Sequence, residues 1–137
     1  GVVNKQDYEQ CLLISIPELN IEIQTHDIVD LNSEGFQFIG RKDNIINSGG
    51  LKIIPEQLER TLEIELLKQG LKIPLYIKGI KDEALGQKCI VVIEAKDQKY
   101  KGTISKLLDL YFTSYERPKE IQVIKKFKYT RTNKLIR

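Results

Sequence analysis

From residue 44 onward the hydrophobic periodicity runs strand, helix, strand, strand, helix, strand, and no other property of the chain narrows its architecture so far. The helices set the frame. Pro55 opens PEQLERTLEIELLKQG, where proline suits the first helical position, Glu56 and Glu59 favour the positive end, and Gly70 stops the run. Leu58, Leu62 and Leu66, with Leu67, form its apolar stripe. A second helix over residues 102–115 places Ile104, Leu107, Leu108, Tyr111, Phe112 and Tyr115 on one face. LKII, LYIKGI, CIVVIEA and EIQVIKKF read as strands, and the continuous apolar centre of CIVVIEA predicts a central place in its sheet. The expected fold class is α+β, a small mixed or antiparallel sheet with packed helices.

The first forty residues read as strands alone. Residues 11–16 form an apolar run closed by Pro17, and Ile21 and Ile23 alternate with Glu22 and Gln24. DIVDL and GFQFIG flank Asn32-Ser33-Glu34-Gly35, whose residues suit a short hairpin loop. The polar, glycine-containing stretch near Gly40 predicts a boundary, with a β-rich segment over residues 1–40 and an α+β domain over residues 41–137 that could stand alone.

Composition excludes more than it selects. With 41% hydrophobic and 30% charged residues the chain can bury a core, and no apolar run approaches the roughly 20 residues a membrane helix needs. The start GVVNKQDYEQ lacks the pattern of a signal peptide, so a cytoplasmic location is expected. Cys11 and Cys89 lie in apolar runs and read as small buried hydrophobes. With His26 the single histidine, a metal centre has no support. The net charge of +3 is mild, but from Ile121 to Arg137 there is no acidic residue. Lys125, Lys126, Lys128, Arg131, Lys134 and Arg137 make that tail basic, suiting a solvated surface, a phosphate-bearing small molecule or nucleic acid. The chain has no methionine and begins at glycine, which fits a piece of a longer protein.

Taken singly, the residues name no chemistry. No nucleophile motif accompanies His26, and Gly49-Gly50 has neither phosphate-loop nor dinucleotide spacing. Taken in order, several segments do. Thr25-His26-Asp27, Gly35-Phe36, the run Gly40-Arg41-Lys42-Asp43-Asn44-Ile45-Ile46-Asn47-Ser48-Gly49-Gly50 and Ile54-Pro55-Glu56-Gln57-Leu58-Glu59 closely resemble the signature run of the acyl-adenylate-forming ligases. Gly79, Asp82 and Leu85-Gly86-Gln87 resemble its next landmark, and Arg117-Pro118-Lys119 with Thr130-Arg131-Thr132-Asn133-Lys134-Leu135-Ile136-Arg137 resembles its C-terminal signature.

The resemblance covers about residues 10–137 and implies the end of a large N-terminal AMP-binding domain followed by a mobile C-terminal lid. By position it makes Asp27 the aspartate that accepts hydrogen bonds from the adenosine ribose hydroxyls, and Arg41 an arginine near the nucleotide. Asp43 falls at the hinge, and Ser48, Gly49 and Gly50 at the loop that lines the pantetheine channel. Lys134 falls at the catalytic lysine, whose ammonium offsets the repulsion between an attacking carboxylate and the α-phosphate. The family usually has glycine where this chain has His26 and Asn133, and asparagine accepts the left-handed backbone better than most residues. ATP or AMP, CoA, a small-molecule carboxylate and Mg2+ held mainly by the N-terminal domain are the implied ligands, and that domain the implied partner. No membrane or nucleic-acid partner is expected. The compact form of these motifs is most similar to o-succinylbenzoate-CoA ligases of menaquinone biosynthesis, with other acyl-CoA synthetases next and peptide-synthetase adenylation domains third. Other classes are a basic module contacting nucleic acid and an interaction domain using the exposed face of helix 55–69. This chain alone is expected to be inactive, because the phosphate loop and acyl pocket lie outside it.

Overall fold

A computed structural model describes all residues, Gly1–Arg137, and the chain divides into two compact units, Gly1–Ile45 and Ile46–Arg137.

The first unit is an antiparallel sheet in the order β1-β2-β3-β4, built from Val3–Gln6, Cys11–Ile16, Ile21–Asn32 and Gly35–Arg41. Asp7 sets the turn between β1 and β2 by accepting the backbone N–H groups of Glu9 and Cys11 at 2.8 and 2.9 Å. The two short strands expected around Ile21 and Asp27 are one continuous strand, β3, which absorbs a register shift against each neighbour. The hairpin after it is the expected one: Asn32 pairs with Gly35, and the Asn32 side chain caps the Glu34 N–H at 2.9 Å. A short 3-10 turn, Lys42–Asn44, closes the unit.

The second unit is the α+β fold expected from periodicity. Its strands are β5 (Ile46–Ser48), β6 (Leu51–Ile53), β7 (Leu75–Asp82), β8 (Gly86–Glu94) and β9 (Glu120–Ile124). They follow the path β6-β5-β8-β7, antiparallel throughout, with β9 added parallel to β8. β8 is central and buried on both faces, which explains its unbroken apolar run: Val91 and Ile93 face one core cluster, Ile90 and Val92 the other. Helices α1 (Pro55–Lys68) and α2 (Lys101–Tyr111) both contribute to the first cluster, through Leu58, Leu62 and Leu66 and through Ile104, Leu107 and Leu108. Each such side chain contributes about 1.5–3 kcal/mol by leaving water. Phe127, stacked at a tilt on Tyr76 with centroids 5.0 Å apart, covers the other face.

α1 ends at a Schellman motif. Gly70, at φ +74°, donates its N–H to the Leu67 carbonyl, and Leu71 donates to Leu66. α2 stops four residues before the expected end. Phe112 turns extended and packs into the core, leaving Tyr111 and Tyr115 about half exposed, so neither belongs to a buried helical face. Two further strands, β10 (Lys128–Tyr129) and β11 (Leu135–Ile136), form a separate two-stranded ribbon near the chain end.

Candidate functional site

The candidate residues fall into two groups, one in each unit. In the first unit, pairing of β3 with β4 sets Asp27 directly opposite Arg41. The Arg41 guanidinium contacts Asp27 Oδ1 at 2.7 Å and Asp43 Oδ2 at 3.5 Å. Asp43, in the 3-10 turn, also lies against His26, with Nδ1 at 3.1 Å from Oδ1 and 3.2 Å from Oδ2. Lys42 ties the same turn back to Glu9 at 2.8 Å, and that carboxylate raises the lysine's pKa. Exposed ion pairs of this kind add little to stability, because water and salt screen them. Opening the Asp27–Arg41 pair would therefore cost the fold little. His26 also touches the candidate hinge residue, a contact that reading the sequence did not anticipate.

In the second unit, Gly49 and Gly50 form the two-residue connection between β5 and β6, with Ser48 paired to Leu51. Both glycines have positive φ, +57° and +81°, the geometry of a type I′ hairpin turn. Gly49 donates its N–H to the Leu85 carbonyl at 2.8 Å, and a Cβ there would lie 3.3 Å from the Leu85 side chain. Ser48 is buried, and with Gly49, Leu51, Leu85, Tyr115 and Lys119 it lines a recess of about 260 Å³. Exposed backbone beside such a recess suits a thin ligand, since no side chain on the glycines holds it away.

Lys134 lies just before β11, in the turn that joins β10 to β11. The Thr130 N–H donates to the Lys134 carbonyl at 2.8 Å and the Asn133 N–H to the Thr130 carbonyl at 3.0 Å, while Thr130 Oγ1 accepts the Lys134 N–H at 3.1 Å. Asn133 takes φ +64°, the left-handed conformation that asparagine adopts most readily among residues with a side chain. The turn leaves the Lys134 side chain exposed and outside every ion pair of the chain. It is a cation held on a shaped loop with no internal partner.

One constellation was missed. Glu59, read from the sequence as an acidic residue complementing the helix N-terminus, is instead the one charged residue among the buried side chains, 8% exposed. Arg137 grips it with both terminal nitrogens, Nη1 to Oε2 at 2.5 Å and Nη2 to Oε1 at 2.8 Å. Burial raises the Glu59 pKa, while Arg137 and the Ile77 N–H pull it down. The signal was present: Glu59 falls within the apolar stripe of α1, where an acid needs a cation, but the partner stands 78 positions away. Arg137 is therefore not one of the tail's solvated charges.

Both cysteines are buried and neither forms a disulfide, and burial lifts the Cys89 thiol to about 11. No group of three or more His, Cys, Asp or Glu side chains converges to hold a metal. No helix is long and apolar enough to cross a membrane.

No protein-family model matches the chain. The chain is 30% identical over 117 residues to 2-succinylbenzoate–CoA ligase of Oceanobacillus iheyensis, an alignment covering 84% of this chain and 23% of that protein. An acyl-CoA synthetase (AMP-forming)/AMP-acid ligase II-like protein from Dyadobacter fermentans superposes with a TM-score of 0.65 and 32% identity, over 98% of this chain and 39% of the other. The o-succinylbenzoate CoA synthetase of Bacillus subtilis, in complex with its acyl-adenylate intermediate, superposes with a TM-score of 0.73 over 98% of this chain and 32% of that one. Its 19% identity makes it a likeness of fold. The chain thus spans about a quarter of the curated relative's length, and what it resembles is the C-terminal portion of adenylate-forming ligases.

Proposed function

We propose that this chain is the C-terminal part of an ATP-dependent acid–thiol ligase, most similar to o-succinylbenzoate-CoA ligases of menaquinone biosynthesis. Carboxylate and ATP would give acyl-AMP and pyrophosphate, and the CoA thiol would then displace AMP to form the thioester. The observation that carries this reading is the Thr130–Lys134 turn, which presents an exposed, unpaired ammonium behind a left-handed asparagine.

In the first step a carboxylate oxygen attacks the α-phosphorus, and two anions approach each other. Lys134 places a compact positive charge beside both, so the charge moving onto the phosphoryl oxygens is met by a preset cation. One well-placed group of this kind is worth about 10²–10³ in rate. Asp27 accepts hydrogen bonds from the ribose hydroxyls, and Arg41, beside it, lies near the nucleotide. The turn carrying Asp43, at the start of the lid expected over residues 41–137, serves as its hinge, and the part that swings is the second unit, Ile46–Arg137. Ser48, Gly49 and Gly50 line the channel for the pantetheine arm. Mg2+ would be held mainly by the N-terminal AMP-binding domain. That domain is the partner this reading requires, and without it the chain is inactive.

The test separates the two half-reactions in the full-length protein. Lys134→Ala should lower ATP–pyrophosphate exchange by about 10²–10³, while thioester formation from supplied acyl-AMP persists. Equal loss of both steps would remove the lysine from its assigned role. Pyrophosphate release by residues 1–137 alone would overturn the assignment of the remaining machinery to another domain.

A further inference from the structure

β7 is the terminal strand of its sheet, so one edge of its backbone has no strand beside it. At Ile77 that edge is filled by an ion pair instead. The Ile77 N–H donates to Glu59 Oε2 at 3.0 Å, and its carbonyl accepts Arg137 Nη1 at 3.1 Å. Glu59 is fixed on α1, whose leucines are locked in the core, so Arg137 is docked onto a rigid wall. Two residues earlier, Leu135 packs against the cluster of Tyr76, Ile90 and Phe127. β11 is thus fastened at two points, one apolar and one ionic. Lys134 immediately precedes the first, and its Cα lies within about 10 Å of that of Arg137 along the chain.

The ribbon cannot hold itself. It has only two residue pairs, and an isolated two-stranded hairpin is at best marginal in water. Buried ion pairs are also poor stabilisers beside apolar pairs of equal size, whereas a guanidinium fork on a carboxylate fixes direction as well as distance. We propose that Glu59 and Arg137 are positioning residues for adenylation: their clamp on the edge of β7 sets the path of β11 and so the place of the Lys134 ammonium. The inference rests on the role proposed above for Lys134.

The experiment uses Arg137→Gln, Arg137→Lys, Glu59→Gln and Lys134→Ala in the full-length protein. ATP–pyrophosphate exchange should fall about 10–100-fold in Arg137→Gln, as a displacement near 1 Å implies, with thioester formation from supplied acyl-AMP retained. Glu59→Gln should fall in the same half-reaction, and Arg137→Lys should recover part of the loss by keeping the charge without the fork. Equal loss of both half-reactions in every variant would make the pair a fold strut and overturn the proposal. So would undiminished exchange activity in Arg137→Gln. Amide hydrogen exchange supplies a readout free of any assumption about function. Protection at Thr130 and Asn133 should drop in Arg137→Gln while β8 is unchanged, and unaltered protection overturns the clamp. If Lys134→Ala leaves adenylation intact, the functional reading falls and the positioning role with it, even where hydrogen exchange upholds the clamp.

Discussion

A methyl group added at Gly79 would sit 3.0 Å from Cγ2 of Ile46 and 3.1 Å from Nε2 of Gln87. Ile46 is 1% exposed and has nowhere to retreat, while Gln87 Oε1 accepts the Asn47 N–H at 2.8 Å, just before the Ser48-Gly49-Gly50 turn. Gly79→Ala should therefore cost about 1–3 kcal/mol through overpacking, read as a lower denaturation midpoint with an unchanged denaturant slope. A neutral result would mean that β5 shifts without strain. The same residue marks what can be read from sequence one position at a time. Gly79 stood out there only as part of a resemblance; its physical necessity, the Ile46 and Gln87 side chains packed over it, needed coordinates. Asn133 was different, because a residue that tolerates positive φ where glycine is usual predicts its own conformation, and φ +64° agrees. His26 was opaque. Nothing in Thr25-His26-Asp27 announces that its ring meets Asp43, 17 residues on.

At the scale of elements, legibility followed the strength of the end signals. α1 begins at Pro55 and ends before Gly70 as expected, since both residues dictate backbone geometry whatever surrounds them. α2 overran in the sequence reading because Tyr111 and Tyr115 continue its apolar spacing and no glycine or proline intervenes before Pro118. Burial of Phe112 in an extended conformation outweighed another turn of helix. The β10–β11 ribbon left no trace, because two-residue arms are too short for any period. α1 also offers a sharp test of its rotation. Leu62 is 1% exposed and Leu67 57%, although both were placed in the stripe. Leu62→Ala should cost about 2–5 kcal/mol, and Leu67→Ala should stay within about 0.5 kcal/mol. Comparable costs at the two positions would show that the helix presents a different face.

At the scale of the whole chain, the two units differ in the core each owns. Residues 46–137 contain both hydrophobic clusters, the central strand β8 and the two helices that cover one face of its sheet. In residues 1–45 the buried apolar side chains are Cys11, Leu12, Ile28 and Val29, while Ile21, Ile23, Phe36 and Phe38 are 41–48% exposed. A four-strand sheet with so few buried side chains falls short of the hydrophobic gain needed to offset chain entropy, which runs to about 1–2 kcal/mol per residue for the backbone alone. Residues 46–137 expressed alone should thus give a single cooperative denaturant transition and native-like amide protection in β8. Residues 1–45 alone should give neither, nor should adding them to the larger piece in trans raise its midpoint. A cooperative transition in the small piece would mean that its β3–β4 face is stable uncovered. A molten larger piece, with helix content but no protected amides, would mean that the core of β8 depends on residues before Ile46, and the division of the chain at Ile45 would have to be withdrawn.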